Sequence, residues 1–560
     1  MKYVIVGGNT GGLGAAARLR RLDEKAEISV FEKGAFVSYS NCSLPYRLSD
    51  TVDCDEKLVL NTPQSLKASY NIDVRVLSEV TAIDRKAKRV AVKRADGSKY
   101  FESYDKLILA TGASAVIPPI KGIEGANLFT LKTVEDASRL YAFLRQNGIK
   151  NVTVIGGGFI GVEAAVNLKE AGYNVALIEA LPQILNTFDY DMVQILQKEM
   201  LDKEVNLIVG DSVASFEGSA AVLKSGTKVP AGAVIMAAGV RAESRLAAEA
   251  SLELNARGAI VTDANYRTSD PDIYAVGDAA EVFNALTHKK FTLQLAGPAQ
   301  KQARQAADSI CGRTVRNTGF IGSSSIKVFG LSAASTGLTA AQCEREGISY
   351  DVSYVLPQDR VSIMPGSRML HYKLIFEVPT GRILGVQAIS AGEAVKRADV
   401  AAALIKTGGT VYDLRDLELC YAPPFSSARD PANYAGLVAC NLLNGEYRQV
   451  RVDKVRELVK AGAYILDVRP AAAFARGHVK TAVNIPMSVL RERFNEIPKD
   501  RPVYVHCRIG QTSYNAVRAL QGNGFTNVYN VSGGFAGICY YEYFNDVTLK
   551  RDPIVTDYVF

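Results

Sequence analysis

A single cysteine, Cys42, stands in the stretch VSYSNCSLPY (37–46), among hydroxyl and amide side chains that could contact a substrate. The residue five positions later is Arg47, so the stretch holds no second cysteine for a local disulfide. A free cysteine can be a packing residue, a ligand or, as a thiolate, a nucleophile. The surrounding elements have to decide between these three interpretations.

A glycine-rich turn precedes this cysteine in YVIVGGNTGGLGAAARLRRL, which reads as a buried strand, a turn and a helix. The next strand, ISVFEK, ends in a carboxylate 20 residues after Gly12. Glycines let the backbone approach a pyrophosphate at the helix N-terminus, and the carboxylate can bind a ribose. Asn9 replaces the middle glycine of G-x-G-x-x-G, and a plain glycine-rich turn is the alternative. The residues predicted to bind a dinucleotide are Gly7, Gly8, Gly11, Gly12 and Glu32.

A second unit of the same kind follows in NVTVIGGGFIGVEAAVNLKEAGYNVALIEA. Gly156, Gly158 and Gly161 stand in full G-x-G-x-x-G register, and the next strand ends in Glu179. A carboxylate at that position favours a free 2′-hydroxyl and repels a 2′-phosphate. The sequence therefore predicts two dinucleotide sites, the second with a preference for NADH over NADPH.

Another cysteine, Cys507, opens a loop in VYVHCRIGQTSYNAVRAL (503–520), between a strand and a helix. Successive backbone N–H groups in such a loop form an anion-binding nest, which would stabilise a thiolate or a persulfide. The residue six positions later is Ser513 and not the Arg of a C-x-x-x-x-x-R loop, so phosphate chemistry is not expected.

The composition limits the remaining possibilities. A chain of 560 residues should hold roughly three to five domains. The net charge of +7 is mild, which predicts an anionic small ligand and no nucleic acid. Eight cysteines without a C-x-x-C pair and four scattered histidines predict no metal site. A strand from residue 2 and the lack of an apolar run of about 18 residues predict a cytoplasmic protein with no signal peptide and no membrane span.

The segments LILATGAS (107–114) and DIYAVGDAA (272–280) flank the second glycine-rich unit, and with it they resemble the FAD/NAD-linked disulfide reductases. The resemblance implies an α/β fold with two Rossmann-like domains, in which FAD is bound by 1–110 and 240–320 and NAD by 111–239. It also implies an α+β dimerisation domain at 321–445, and hence a homodimer. Further cofactor-binding residues by this resemblance are Thr111, Gly112, Gly277 and Asp278, the last on the flavin ribitol.

SYSNCSLPY resembles the S-[FY]-x-N-C-x-L-P-Y motif of the single-cysteine branch, the coenzyme A disulfide and coenzyme A persulfide reductases. Cys42 would then attack a substrate sulfur, and reduced flavin would break the mixed disulfide. A helix N-terminus near Pro45 is expected to lower the pKa of Cys42. The resemblance gives coenzyme A contacts at Arg18, Arg21, Ser38, Asn41 and Arg429, and places Tyr421 at the partner's active site. Arg18 and Arg21 are also three residues apart and therefore lie on one helix face. The alternative is that this face is simply solvated and binds no substrate.

One departure from that branch lies in IMPG (363–366), where coenzyme A disulfide reductases usually carry Tyr-Tyr-Pro-Gly. Ile363 cannot stabilise a thiolate or protonate a leaving thiol as the first tyrosine would. The departure disfavours disulfide reduction more than persulfide reduction, because hydrosulfide is the better leaving group.

The last segment, 446–560, resembles the rhodanese domain through DVR, GHVKTAVNIP and HCRIGQTS. A rhodanese carries sulfane sulfur as a cysteine persulfide, here on Cys507, and the flavin module would reduce such a species. The sequence thus predicts an NADH-dependent, FAD-containing reductase of coenzyme A persulfide, polysulfide or coenzyme A disulfide. The alternatives are an NADH oxidase or peroxidase that uses a Cys42 sulfenic acid, and a sulfur carrier or redox sensor with a structural flavin.

Overall fold

The computed structural model describes residues 1–560 and has two compact units. The first consists of Met1–Pro182 and Ile208–Phe320, and the second of Gln183–Leu207 and Ile321–Phe560. None of the helices has the length and apolar character needed to cross a membrane.

Residues 1–110 alternate strands with helices. Their elements are β1 (Lys2–Val6), α1 (Thr10–Leu22), β2 (Glu27–Phe31), α2 (Pro63–Tyr70), β3 (Asp73–Arg75), β4 (Ser78–Asp84), β5 (Arg89–Arg94), β6 (Lys99–Ser103) and β7 (Lys106–Leu109).

The predicted NAD-binding segment follows. Its elements are β8 (Ala113–Ala115), β9 (Leu128–Phe129), α3 (Val134–Gln146), β10 (Asn151–Ile155), α4 (Phe159–Glu170), β11 (Asn174–Glu179), α5 (Tyr190–Asp202), β12 (Asn206–Val209), β13 (Val213–Glu217), β14 (Ala220–Leu223), β15 (Lys228–Pro230), β16 (Ala233–Met236) and β17 (Val240–Ala242). The chain then forms α6 (Arg245–Glu249), β18 (Ile273–Ala275), β19 (Val282–Phe283), β20 (Lys290–Phe291) and α7 (Ala296–Ile310).

The first unit contains two five-stranded sheets, ordered β18-β7-β1-β2-β3 and β12-β11-β10-β16-β9. Strand β1 pairs in parallel with β2 and β7, and β10 with β11 and β16. Strand β18, which follows the inserted segment in sequence, pairs in parallel with β7 and so completes the sheet of β1. The apolar run of β1 serves two cores: Ile5 packs on the face covered by α1 and α7, and Val4 packs on the opposite face.

The second unit includes an antiparallel sheet and two helices that pack on it. Its elements up to residue 445 are β21 (Ser324–Val328), β22 (Leu331–Gly337), α8 (Ala340–Glu346), β23 (Tyr350–Val355), β24 (Leu370–Glu377), β25 (Ile383–Ser390), α9 (Val395–Thr407), α10 (Val411–Asp416) and α11 (Pro431–Leu443). The strand order is β21-β22-β25-β24-β23, and α9 and α11 contact this sheet. The strands and helices of this segment form an α+β arrangement.

The last segment has a parallel sheet ordered β26-β30-β29-β27-β28. Its elements are β26 (Arg448–Val450), α12 (Val455–Lys460), β27 (Tyr464–Asp467), α13 (Ala471–Arg476), β28 (Ala482–Asn484), β29 (Val503–His506), α14 (Gln511–Gly522), β30 (Val528–Val531) and α15 (Gly534–Thr548). The central strand β29 ends at His506, so that Cys507 follows at the carboxyl edge of the sheet, where parallel sheets place their sites.

Helix α5 lies within the predicted NAD-binding segment in sequence, yet it belongs to the second unit. Asn545 Nδ2 donates to the Tyr190 hydroxyl at 2.9 Å. The buried Lys373 ammonium pairs with Asp191 at 2.7 Å and with Asp189 at 3.0 Å. A buried charge is tolerated when it is paired and hydrogen-bonded, and here the pairs tie α5 to β24.

Candidate active sites

The first glycine-rich turn is closely packed against its own backbone. A Cβ on Gly12 would lie 1.9 Å from the Gly7 carbonyl oxygen, and one on Gly7 would lie 2.2 Å from that of Ala110. Gly7 also has a φ of +114°, which favours glycine. No side chain caps the first turn of α1, whose N-cap is Asn9. This end of the helix therefore has free backbone donors for a pyrophosphate.

The second turn repeats this geometry. A Cβ on Gly161 would lie 1.9 Å from the Gly156 carbonyl oxygen, and Gly156 has a φ of +110°. A Cβ added to Gly158 would have no other atom within 4 Å, so the space next to Gly158 has room for a phosphate. The equal spacing of the two turns makes them two copies of one cradle.

The two strand-ending carboxylates are held alike. Glu32 accepts hydrogen bonds from Gly8 N–H at 2.9 Å and Gly34 N–H at 2.8 Å. Glu179 accepts them from Gly157 N–H at 2.6 Å and from the N–H of Leu181 at 2.8 Å. Each carboxylate is fixed beside its glycine turn, in the position from which it can bind a ribose hydroxyl.

The segments 107–114 and 272–280, on which the family resemblance rests, contain the ends of β7 and β18. The Thr111 hydroxyl donates to the Glu243 carbonyl at 2.5 Å, and Gly112 has a φ of +73°. Gly277 N–H donates to Gln302 at 2.8 Å, and Asp278 pairs with Lys132 at 3.5 Å. With the first glycine turn on the neighbouring β1, these residues fit a cradle for FAD.

Cys42 is free and exposed in the short 3₁₀ turn Asn41–Ser43. Asn41 accepts a hydrogen bond from the Asn9 side chain. Pro45 does begin a helical turn, as expected, but that turn ends at Arg47. A three-residue turn sums too few peptide dipoles to act as the predicted helix N-terminus.

The pKa of Cys42 is raised, which is the opposite of the predicted direction. Desolvation by the surrounding protein is the main cause, followed by the negative charges of Glu163 and Asp278, while Lys132 lowers the pKa. Glu163 stands on α4, which follows the second glycine turn and is here called the candidate NAD cradle together with it, and Asp278 belongs to the candidate FAD cradle. The charges acting on Cys42 therefore come from both cradles.

Glu163 is a candidate functional residue that the sequence reasoning missed. Burial raises its pKa to about 7, and the Tyr46 hydroxyl donates to it at 3.5 Å. The available signal was its position two residues after Gly161, on the buried start of a nucleotide-binding helix. A carboxyl whose pKa is raised close to neutral pH and whose charge acts on a free thiol is typical of functional sites.

Arg47, five residues after Cys42, serves as an anchor. Its guanidinium pairs with Asp55 at 2.8 Å and Asp50 at 3.1 Å, and lies 3.6 Å from the centre of the Tyr141 ring. The buried arginine thus fixes the chain immediately after the Cys42 turn.

The predicted substrate-binding residues differ in how strongly other protein groups already bind them. Arg18 is paired with Asp308 at 2.5 Å, with only 15% of its side chain exposed, so a solvated face does not describe it. Arg21 is exposed, with its guanidinium 5.5 Å from the centre of the Tyr70 ring. Ser38 accepts from Asn61 at 3.1 Å. Arg21 is the better placed of the two arginines for an anionic ligand.

Tyr421, Arg429 and Ile363 all belong to the second unit, whereas Cys42 belongs to the first. All three are exposed, Ile363 to 85% and Tyr421 to 49%. Arg429 acts electrostatically on Tyr434, a residue of α11 that is also influenced by Cys507.

Cys507 is buried in a loop of hydrogen-bond donors. Gly510 N–H donates to Cys507 Sγ at 3.2 Å, and Ser513 Oγ lies 3.5 Å from the same sulfur. Gly510 has a φ of +97° and immediately precedes α14. This is the geometry predicted for an anion-binding nest at a helix N-terminus.

A buried polar cluster supports that loop from below. The Arg469 guanidinium binds Asp467 through Nη2 at 2.6 Å, and His506 Nε2 lies 3.7 Å from the same carboxylate. The pKa of His506 is lowered, chiefly by burial, while the charge of Asp467 opposes the effect. A neutral His506 leaves the paired Asp467 and Arg469 as the charges beneath the loop.

Comparisons with known protein families match three segments of the chain. The pyridine nucleotide-disulphide oxidoreductase family matches residues 1–303, its dimerisation domain 323–433, and the rhodanese-like domain 451–540. The chain belongs to the pyridine nucleotide-disulphide oxidoreductase family. Members use FAD and a nicotinamide dinucleotide, which confirms the predicted cofactor pair and fold class.

Three similar proteins illustrate the range of relatives. The crystal structure of reduced Bacillus anthracis CoADR-RHD has a TM-score of 0.94 and 40% identity, covering 97% of this chain and 98% of that one. A Pyrococcus horikoshii NAD(P)H coenzyme A polysulfide/persulfide reductase is 32% identical over 77% of this chain and 96% of its own length. A Methanocaldococcus jannaschii NADH oxidase is 30% identical over 80% of this chain and all of its own length.

Proposed function

We propose that this protein is an NADH-dependent, FAD-containing reductase of coenzyme A persulfide, polysulfide or coenzyme A disulfide, with Cys42 as its redox-active thiol. One observation carries the proposal: the charges acting on the free thiol of Cys42 come from Asp278 in the FAD cradle and Glu163 on the helix of the NAD cradle. A thiol so placed can exchange electrons with a nicotinamide through a flavin.

The cofactors have well-defined candidate ligands. FAD would be held by Gly7, Gly8, Gly11, Gly12, Glu32, Thr111, Gly112, Gly277 and Asp278. NADH would be held by Gly156, Gly158, Gly161 and Glu179. When bound, FAD supplies the two-electron relay between NADH and the mixed disulfide formed at Cys42. The carboxylate of Glu179, fixed by two backbone N–H groups, supports NADH over NADPH.

The sulfur chemistry is exchange followed by reduction. The thiolate of Cys42 attacks the coenzyme A sulfur of the persulfide, a Cys42–coenzyme A disulfide forms, and hydrosulfide leaves with the electron pair of the broken S–S bond. Two electrons from NADH then return Cys42 and coenzyme A to thiolates. With coenzyme A disulfide, the leaving group of the first step is coenzyme A thiolate.

Substrate binding is proposed at Arg21, Ser38 and Asn41 around Cys42, with Arg18 contributing less because Asp308 neutralises it. The dimerisation domain supports a homodimer, in which Tyr421 would reach the partner's site and Arg429 would add a positive charge. The rhodanese segment supports a second activity, transfer of sulfane sulfur through Cys507.

Two variants test this assignment. Cys42→Ser should abolish NADH oxidation with coenzyme A persulfide, because a hydroxyl cannot form the mixed disulfide, while FAD stays bound. Cys507→Ser should abolish sulfur transfer from thiosulfate to cyanide and leave reduction of preformed persulfide intact. Cys54→Ser, at a half-buried cysteine, is the matched control. Full persulfide turnover by Cys42→Ser would disprove the role of Cys42.

The oxidase alternative is supported by the name of one relative and by the same free thiol. In that reaction the Cys42 thiolate would attack peroxide, either supplied or formed from oxygen with two electrons of NADH, and a Cys42 sulfenic acid would form as the O–O bond breaks and hydroxide leaves. Comparing kcat/KM for NADH oxidation with oxygen, coenzyme A persulfide and coenzyme A disulfide separates the two functions. The reductase proposal requires kcat/KM to be higher with the sulfur substrates than with oxygen.

A further inference from the structure

Two loops of the second unit have neither helix nor strand: 356–369, between β23 and β24, and 417–430, between α10 and α11. They carry Ile363, Tyr421 and Phe425, large apolar side chains that are 85%, 49% and 74% exposed. Exposed apolar side chains on loops that a rigid scaffold positions are typical of binding sites. The function of these two loops therefore depends on how the scaffold holds them.

One side chain of helix α9, Arg397, binds both loops. Its Nη2 donates to the backbone carbonyl of Asp359 at 3.0 Å and to that of Phe425 at 3.1 Å. The same nitrogen lies 3.4 Å from Asp430 Oδ2. Because α9 packs on β22 and β25, the guanidinium ties the two loops to the sheet as well as to each other.

Each of these contacts continues into hydrogen bonds within its own loop. The buried Asp359 carboxylate accepts from the Arg368 N–H at 2.8 Å, and the Asp359 N–H donates to the Arg368 carbonyl at 2.8 Å, which joins the ends of the first loop. The Asp430 carboxylate accepts from the Ser426 hydroxyl at 2.7 Å and from the Ala432 N–H at 2.9 Å. These bonds fix the end of the second loop at the start of α11. Both loops are thus held at the points where they close.

This arrangement is not one that stability alone favours. Arg397 is only 7% exposed, and its Nε is buried without a hydrogen-bond partner. A buried charge loses its hydration, and a buried donor without an acceptor is costly. Apolar residues of similar volume often replace a buried ion pair with no loss of stability. The arginine is therefore better explained by the two loops that it holds.

We propose that Arg397 is a positioning residue of the coenzyme A site: its guanidinium holds the loops 356–369 and 417–430 in one fixed relation, so that residue 363 and the Tyr421 phenol reach the substrate together. The inference rests on the proposed function, in which Tyr421 acts at the site that reduces the sulfur substrate.

The test measures NADH-driven reduction of coenzyme A disulfide by the full-length holoenzyme. Tyr421→Phe should lower kcat/KM about ten- to a hundredfold, through loss of one hydrogen bond to a charged group. Arg397→Gln should lower it by a similar factor, because both loops are displaced. In the double variant the two losses should not multiply, and kcat/KM should stay within about twofold of Arg397→Gln alone. A merely structural role of Arg397 would leave the effect of Tyr421→Phe at its full size.

Arg382→Gln is the matched control. Arg382 lies in the same segment, pairs with Glu377 at 3.2 Å and also has a buried Nε without a partner, but its hydrogen bonds reach neither loop. This variant should retain the parent kcat/KM and the full effect of Tyr421→Phe. Oxidation of NADH by ferricyanide, which takes electrons from the flavin without the thiol, should be unaltered in every variant. If Arg397→Gln does not fold, Arg397→Lys replaces it, because lysine keeps the charge beside Asp430 but ends short of Nη2.

Multiplying losses in the double variant would overturn the proposal, and so would an unchanged kcat/KM in either Arg397→Gln or Tyr421→Phe. Cys42→Ser separates this proposal from the reductase assignment. Full turnover by Cys42→Ser would disprove the proposed function. Its loss, combined with multiplying losses at positions 397 and 421, would disprove only the role of Arg397.

Discussion

Glu163→Gln should change the pH dependence of both stability and thiol reactivity. The folded protein raises the pKa of Glu163 from 4.5 to about 7 through burial. A difference of that size corresponds to about 3 kcal/mol between the protonated and ionised forms. Because the folded state binds the proton more tightly, this stabilisation is complete below pH 4.5 and is lost as the pH rises through about 7.

About 2 kcal/mol of this loss falls between pH 5.5 and pH 8. The holoenzyme should therefore melt a few degrees lower at pH 8 than at pH 5.5 on account of Glu163, as followed by the fluorescence of released flavin. Glutamine stays neutral, so Glu163→Gln should remove this part of the pH dependence. Glu170→Gln, at the exposed end of the same helix, is the control and should retain it.

The same substitution should act on Cys42, because the charge of Glu163 is one cause of its raised pKa. In the reduced enzyme, alkylation of Cys42 by iodoacetamide should be faster in Glu163→Gln than in the parent at pH 8. Below pH 7 the parent carboxyl is protonated, and the two rates should converge. Parallel rate profiles from pH 5.5 to 8.5, or a melting difference identical to that of the parent, would refute this account of Glu163.

Two further substitutions address specificity. Glu179→Arg should raise the ratio of kcat/KM with NADPH to kcat/KM with NADH by at least tenfold, since the repelling carboxylate is replaced by a partner for the 2′-phosphate. Glu170→Arg makes the same charge change at an exposed site and should leave this ratio unaltered. Ile363→Tyr should raise the rate of coenzyme A disulfide reduction more than that of persulfide reduction, because only coenzyme A thiolate, the poorer leaving group, gains from a phenol. Ser362→Tyr, one residue earlier on the same exposed loop, is the control. Equal gains on both substrates would contradict the argument.

The glycine cradles could be predicted from the sequence because their geometry is set locally. A strand, a tight turn and a helix follow one another within about 20 residues, and only glycine satisfies contacts such as the 1.9 Å approach of a Cβ on Gly161. The strand-ending carboxylates Glu32 and Glu179 follow from the same short unit. The loop of Cys507 is local in the same way, since Gly510 and Ser513 lie within six residues of the sulfur.

The features that the sequence did not predict depend on contacts between distant segments. Arg18 meets Asp308, 290 residues away, so its pairing leaves no trace in the helix pattern. The pKa of Cys42 was predicted in the wrong direction because desolvation by the surrounding protein raises it, and because the charges of Glu163 and Asp278 act on it from elsewhere in the chain.

The two cysteines proposed to react, Cys42 and Cys507, lie in environments suited to different steps of sulfur chemistry. Cys507 is buried and faces backbone donors, which suits a site that stores a persulfide anion. Cys42 is exposed. Desolvation and then the negative charges of Glu163 and Asp278 raise its pKa and disfavour a resting thiolate, while the charge of Lys132 opposes them. A thiol held in this balance responds to the charge on Glu163, and that carboxyl titrates at about pH 7 on the helix that would bind NADH. Protonation of Glu163 should therefore favour the Cys42 thiolate, and this coupling links the nucleotide side of the site to its sulfur chemistry.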